Sequence, residues 1–254
     1  MTTRISRLCV EAVLRGSDAD GGITTYYQSQ KSWEGRMRNQ FRDLVTARAS
    51  TGSFASAADL LRALNAFYRT RYPVAHLSVV ASSVECAVRD VGWWDATPPS
   101  LLGATSAESE AIADVAQRSI ADVNAATKTH PYSLTTKFLH FCFPETFPIY
   151  DAQAAASIHM WSYFAFEDRG STWRRFSYGA TTWTDASGYG GIVDFYRQFW
   201  EAAGNESRDA LRTSAERMSN EIGGRVTVID LVDKLVWMAN GDPRRLGLLG
   251  AFLA

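Results

Sequence analysis

The chain has 254 residues, of which 46% are hydrophobic and 21% charged, and its formal net charge is −1. That length and apolar fraction are ample for a sizeable buried core. The near-neutral charge excludes a strongly basic nucleic-acid-binding protein, although it allows a local basic face. Three widely separated cysteines, Cys9, Cys86 and Cys142, exclude a CxxC motif and are typical of a reducing compartment. With neither a leader peptide nor a bilayer-length apolar run in the sequence, we expect a cytoplasmic protein with no membrane partner.

Helical periodicity runs through the first half of the chain. It predicts helices over residues 5–15 and 32–48, after Ser56 with Asp59 completing the cap, and after Pro73. Thr105-Ser-Ala-Glu108 is a capping box that predicts a helix through about residue 127. The helix after Pro73 is expected to bury one apolar face, made of Val74, Leu77, Val80, Ala81, Val84, Val88 and Val91.

The second half of the chain contains a segment of different composition. Residues 169–191 are rich in Gly, Ser and Thr with scattered aromatics, which predicts a loop or small hairpin. Helices are predicted to resume over residues 192–203, 206–222 and 226–238. Since no series of alternating strands occurs, we predict an all-α fold, with one helical domain over residues 1–254 whose two sub-lobes enclose a cleft.

Residues 133–151 contain the most specific arrangement of chemical groups. Lys137 is predicted near the start of a short apolar helix, and Asp151 follows two prolines at the start of the next helix. Apolar walls and a helix N-terminus disfavour a protonated amine, and a neutral lysine can attack carbon and form a Schiff base. An aspartate at a helix start can cap it or stabilise a developing cation. Taken singly, a solvated lysine and a capping aspartate explain the same residues.

These residues also carry a family resemblance. Ser133-Leu-Thr-Thr-Lys137 resembles the hairpin-to-lysine element of helix-hairpin-helix DNA glycosylases, with Ser133-Leu134-Thr135 standing where the family hairpin usually has glycines. Phe147-Pro-Ile-Tyr-Asp151, within the element at residues 128–162, resembles the segment that delivers their catalytic aspartate. The resemblance implies that Lys137 attacks the sugar C1′ while Asp151 supports departure of the base. It also implies DNA as partner, no metal, no organic cofactor, and a role in anti-phage defence on modified bases.

Further residues are candidates for contacting DNA. An extruded base can be held by aromatic and polar side chains, for which we select Tyr26, Tyr27, Trp33, His140, Tyr150 and Gln153. The backbone can be held by basic and hydroxyl side chains, for which we select Lys128, Ser133, Thr135, Thr136, Arg36, Arg38, Arg174 and Arg175. Core packing or a solvated surface is the alternative explanation for each of them.

Two functions follow from the sequence. The first is a DNA glycosylase that flips out a modified base and releases it, with or without strand cleavage through Lys137. The alternative is a non-catalytic helical nucleic-acid-binding or scaffold protein; no obligate protein partner is evident in either case. A nuclease is disfavoured because Asp230 and Asp233 are interpreted as an ordinary helix pair and no carboxylates occur at metal-binding spacing. The enzyme requires the Lys137 and Asp151 side chains to face one solvent-reachable cleft with basic rims, whereas the scaffold alternative expects one of them buried in a capping role and the other pointing away.

Overall fold

The structure, a computed structural model, describes residues 23–129, 131–151, 154 and 187–239, with the backbone alone for 23–32, 187, 198, 202 and 235–239. Within these ranges every regular element is a helix, so the all-α prediction is confirmed there. None of the helices in the described ranges has both the length and the apolar character needed to cross a bilayer. The elements are α1 (Ile23–Thr51), α2 (Ala57–Phe67), a 3-10 helix (Val74–His76), α3 (Leu77–Asp90), α4 (Ser106–Thr127), α5 (Tyr132–Cys142), α6 (Ser187–Ala202), α7 (Asn205–Ile222) and α8 (Val228–Ala239).

One of the two predicted helix caps is present. At α4 the Thr105 hydroxyl accepts from the Glu108 backbone N–H, and the Glu108 carboxylate accepts from the Thr105 N–H at 2.7 Å, which confirms the capping box. The cap predicted at Ser56 is wrong. Ser56 has a helical backbone conformation and makes no side-chain cap hydrogen bond, and Asp59 pairs instead with Arg62 at 2.6 Å. A residue that caps with its side chain normally has an extended backbone, which Ser56 lacks.

Several predicted boundaries differ from the structure. Helix α1 extends beyond residues 32–48 in both directions, and residues 187–191, predicted as the end of a loop, belong to α6. Val74 and Val91 are exposed at 55% and 38%, which corrects their assignment to the buried face. Both lie outside α3, Val74 in the 3-10 turn before it and Val91 just after its end, so neither follows the helical period. The helix predicted at residues 5–15 and the rest of the predicted loop lie outside the described residues.

The helices pack around a continuous apolar core. Helix α4 packs against α3 and α6, and α1 packs against α5 and α7. Where α1 crosses the end of α7, Gly35 lies against backbone: a Cβ added there would be 2.0 Å from the carbonyl oxygen of Ile222. Gly224 meets Gly35 from the other side, since its own added Cβ would be 3.0 Å from the Gly35 Cα. Two glycines therefore set the approach of α1 to the C-terminal helices.

Candidate active site

Lys137 and Asp151 meet in the structure. The Lys137 Nζ donates to Asp151 Oδ2 at 2.8 Å and to the Ser133 hydroxyl, one helical turn earlier, also at 2.8 Å. The Lys137 side chain is 4% exposed and that of Asp151 13%, so the pair is largely shielded and its carboxylate end is nearer to solvent. The two side chains therefore do not point away from each other, and the amine lies in an enclosed site, not on the open cleft that the enzyme hypothesis expected.

The local structure around Lys137 differs from the prediction. Helix α5 begins at Tyr132, so Lys137 is one turn beyond the first turn in which it was predicted. Residues 133–136 are helical, and the hairpin expected just before the lysine is absent from residues 131–137. The cap residue is Pro131, which lacks an N–H and supports an early helix start. The partial positive charge at the start of α5 therefore acts on the Lys137 amine more weakly than it would from the first turn.

Asp151 is positioned by the segment before it and by a backbone N–H three residues after it. The Thr136 hydroxyl of α5 accepts from the Tyr150 N–H at 3.0 Å and lies 3.2 Å from the Tyr150 carbonyl oxygen. The other carboxylate oxygen of Asp151 accepts from the Ala154 N–H at 2.9 Å. Asp151 therefore accepts from a backbone N–H three residues later and is at the same time the partner of Lys137.

The two residues before Tyr150 are tied to the C-terminal helices. The Ile149 N–H donates to Asp233 of α8 at 3.1 Å, and the Tyr189 hydroxyl of α6 donates to the Pro148 carbonyl at 2.8 Å. Asp233 also accepts a short hydrogen bond from the Tyr196 hydroxyl. The residues that deliver Asp151 are thus fixed by side chains far away in the sequence.

Tyr68, at the end of α2, forms an aromatic surface beside the pair. The Lys137 Nζ lies 5.2 Å from its ring centroid and the Lys234 Nζ lies 5.5 Å from it. Its hydroxyl donates to Glu34 at 3.1 Å, and Glu34 also accepts from Lys234 at 3.2 Å. A ring this close to an ammonium attracts it through the ring quadrupole, by up to about 2 kcal/mol where water is excluded. Tyr68 was not predicted from the sequence, because a lone tyrosine after an apolar helix carries no signal of this contact.

Trp33 extends the aromatic surface. Its ring stacks on Phe67 with a centroid separation of 3.5 Å and an interplanar angle of 6°, and it meets Tyr68 edge-on at 5.9 Å. All three side chains are partly exposed. Trp33, one of the predicted base-contacting aromatics, thus lies beside Tyr68, which contacts Lys137.

A buried ionic network lies next to these groups. Arg38 donates to Asp230 through two nitrogens, at 2.6 and 3.1 Å, and also to Glu34 at 3.2 Å. His140 contacts Asp230 at 2.7 Å and Asp233 at 3.8 Å. Three basic groups therefore face three acidic ones in the core: Arg38, His140 and Lys234 against Glu34, Asp230 and Asp233. The interpretation of Asp230 and Asp233 as an ordinary solvated helix pair is wrong, because both are buried ion-pair partners.

The hydrogen bonds of His140 define its protonation. Its Nδ1 lies 2.7 Å from the Phe147 carbonyl oxygen and its Nε2 lies 2.7 Å from Asp230 Oδ1. A carbonyl and a carboxylate both accept, so both ring nitrogens donate and the ring is an imidazolium. Burial by itself lowers the pKa of His140, but Asp230 outweighs it and holds the pKa above its ordinary value.

The acidic groups of the network respond unequally to their surroundings. Burial raises the pKa of a carboxyl group, yet Arg38 and His140 hold the pKa of Asp230 well below its usual range. In the same way Lys234 and Arg38 overcome burial and lower the pKa of Glu34. For Asp233 burial prevails and raises the pKa to about 6. Asp233 is thus the acid of the network that is closest to taking up a proton near neutrality.

The structure separates the predicted DNA-contacting residues into three groups. Arg38, Thr135, Thr136, His140 and Tyr150 are buried, so in this conformation they are not available to DNA. Arg36 and Lys128 are exposed, and Ser133 is bonded to Lys137. Five predicted residues lie outside the described side chains or the described ranges: Tyr26, Tyr27, Gln153, Arg174 and Arg175. For the four buried residues that belong to α1 and α5 the cause is helical phase, which turns their side chains toward the core. Tyr150 follows α5, and its ring is buried between Tyr132 and Tyr189.

Among the described residues no group of three His, Cys, Asp or Glu side chains is arranged to hold a metal ion. The chemistry that the site offers is that of an amine, a carboxylate and an aromatic surface. No protein-family model, curated protein or solved structure matches this chain.

Proposed function

We propose that the protein is a DNA glycosylase that releases a modified base, using Lys137 and Asp151. The observation that carries the proposal is the 2.8 Å contact between an amine and a carboxylate beside a tyrosine ring, in largely shielded surroundings. Shielding from water strengthens the action of the carboxylate on a developing positive charge. The two-lobed body with a cleft, the DNA partner and a role in defence against phage belong to this proposal.

The proposed reaction begins with a proton transfer within the pair. Asp151 takes one proton from the Lys137 ammonium, which frees the nitrogen lone pair to attack the sugar C1′. The bond between C1′ and the base nitrogen breaks, and its electron pair leaves with the base, which takes up a proton. After the attack Nζ carries two protons. One of them is lost to water, and opening of the C1′–O4′ bond, with uptake of a proton by O4′, gives a protonated imine between Lys137 and the sugar. Removal of a C2′ proton then allows the 3′ phosphate to leave, which cleaves the strand.

A water molecule gives the alternative outcome of the same site. If Lys137 stays protonated, Asp151 stabilises the cationic sugar as the base departs, and water adds to C1′. The product is then an abasic site with an intact strand. Tyr68, Phe67 and Trp33 would present apolar faces to the extruded base in both cases, since base stacking on aromatic rings tolerates many bases.

Borohydride trapping on DNA with varied modified bases tests the proposal. The native protein is expected to form a covalent adduct with one of these substrates, and Lys137→Ala is expected to lose it. Lys137→Arg is the matched control, because it preserves the positive charge beside Asp151 but cannot form the imine. Base release is measured in parallel and is expected to fall at least about 100-fold in Asp151→Asn. Base release that survives in Asp151→Asn would count against the mechanism.

A non-catalytic nucleic-acid-binding or scaffold protein is the second candidate. It is favoured by one observation: Asp151 also accepts from the Ala154 N–H, so a purely structural role explains part of its position. This candidate predicts that the protein binds DNA without releasing any base, and that Asp151→Asn lowers stability alone. Denaturation midpoints measured beside the base-release assay separate the two.

A further inference from the structure

Three basic residues share a backbone conformation that is unusual outside glycine. Arg69, Arg71 and Lys128 have φ values of 49°, 57° and 55°, and no other non-glycine residue in the described ranges has a positive φ. This left-handed conformation costs free energy in L-residues and persists only where neighbouring contacts hold it. Arg69 and Arg71 follow α2, and Lys128 follows α4, so two loops carry the same feature.

Side chains hold both loops and join them. Asn65 accepts from the Tyr72 N–H at 3.0 Å and donates to the Tyr72 carbonyl at 2.8 Å, which closes the loop containing Arg69 and Arg71. The Tyr72 hydroxyl lies 2.7 Å from the Thr129 hydroxyl and 3.3 Å from that of Thr127. Since Thr127 and Thr129 flank Lys128, the two basic loops lie side by side and are fixed to each other.

The resulting surface is positive and uncompensated. All three basic residues are exposed, and in the part of the chain that the structure describes none of their side chains has an ion pair or hydrogen bond. Residues 60–84 and 123–144, which include both loops, contain no Asp or Glu. Arg42, Arg89 and Arg212 are also exposed but differ from them, because each lies beside a carboxylate.

We propose that Arg69, Arg71 and Lys128 form a binding surface for the sugar–phosphate backbone of double-stranded DNA. Guanidinium and ammonium groups bind phosphate oxygens, and unpaired groups on a fixed surface need not break an ion pair first. Arg69 directly follows Tyr68, whose ring faces Lys137, so a strand held here lies next to the candidate active site. The inference rests on the proposed function for its substrate and extends it by naming where the strand is held.

The experiment measures the affinity of a fluorescein-labelled DNA duplex by anisotropy over a range of KCl concentrations. The logarithm of the affinity falls as the logarithm of the salt concentration rises, and each lost phosphate contact makes this slope shallower by about 0.9. The triple variant R69G/R71G/K128G is therefore expected to have a slope shallower by about 3. Glycine adopts the left-handed conformation freely, so the denaturation midpoint is expected not to fall. The matched control R42Q/R89Q/R212Q removes the same charge from paired arginines and is expected to retain the native slope. Should the triple variant unfold, Arg71→Gln alone is expected to lower the slope by about 1.

The outcomes distinguish this inference from the proposed function. An unchanged slope in the triple variant, an equal loss in the control, or no DNA binding by the native protein overturns the inference. Binding to phosphatidylserine vesicles in place of DNA overturns it as well. If the native protein releases a base and the triple variant binds DNA with the native salt slope, the binding surface is refuted and the proposed function is not. Loss of DNA binding in the triple variant, in a protein that releases no base, supports the surface and refutes the glycosylase proposal.

Discussion

Replacing Gly35 with alanine should separate α1 from α7. The new Cβ would lie 2.0 Å from the Ile222 carbonyl oxygen and 3.1 Å from its carbon, whereas ordinary contacts begin at 3.4 Å. The obstacle is backbone, so it cannot rotate away, and the two helices must move apart by more than 1 Å, as the same distances require. Overpacking a core usually costs about 1–3 kcal/mol, and an immovable obstacle places this site at or above the upper end.

The helix propensity of alanine partly offsets this cost. Gly35 lies in the interior of α1, where alanine is favoured over glycine by about 1 kcal/mol, so the expected net loss of unfolding free energy is about 2 kcal/mol or more. Gly190 in α6 is the matched control. A Cβ added to Gly190 has its nearest contact at 3.8 Å, so Gly190→Ala should stabilise by about 0.5–1 kcal/mol.

Urea denaturation of both variants, followed by helical circular dichroism, measures the difference. The midpoint of Gly35→Ala should fall and that of Gly190→Ala should rise, with the m-value of each unchanged. A Gly35→Ala protein as stable as the Gly190→Ala protein would show that the crossing of α1 and α7 is looser than the structure describes, and would refute the reasoning.

Three further predictions concern the ionic network and the helix cap. Asp230→Asn should cost about 3–5 kcal/mol in urea denaturation because it leaves buried cations unpaired, while the exposed Asp209→Asn should change stability by less than about 0.5 kcal/mol; equal effects would contradict the burial of the network. Burial raises the pKa of Asp233 to about 6, so native protein retains a proton that the unfolded chain has released. As the pH rises through the window from 3.8 to 6, the unfolding free energy of the native protein should therefore fall by up to about 3 kcal/mol relative to Asp233→Asn, and a pH-independent difference would refute the assignment. Thr105→Ala should lower the free energy of unfolding by about 1 kcal/mol, whereas Thr105→Ser should stay close to the native value. No loss in Thr105→Ala would mean that the capping box is not formed in solution.

Local signals predicted much of the fold. Apolar residues at helical spacing located most of the buried face of α3, and the Thr105 capping box located the start of α4, because each depends on residues within one or two turns. Ser56 shows the limit of such signals. Its sequence context matches a cap, but its backbone is helical and its side chain makes no cap hydrogen bond, which the local pattern does not report.

The candidate site was predictable in its residues but not in its surroundings. Lys137 and Asp151 are only 14 positions apart, so a helix and a proline turn bring them together. The partners in the ionic network are 192 and 200 positions apart, and nothing in the sequence indicates which helix faces which. A usable signal was present in α8, where Asp230 and Asp233 interrupt the apolar run Val228-Ile-Asp-Leu-Val-Asp. Carboxylates at that spacing on an apolar face indicate buried partners, here Arg38 and His140.

The joining of α1 to α8 through ion pairs has a consequence for biosynthesis. Ribosomes release chains from the N-terminus, so Glu34 and Arg38 emerge long before Asp230 and Lys234. Until α8 has been synthesised, the core lacks three of the charges that balance the network, those of Asp230, Asp233 and Lys234, and burying the remainder would be costly. Closure of the core around α1 should thus await the synthesis of α8.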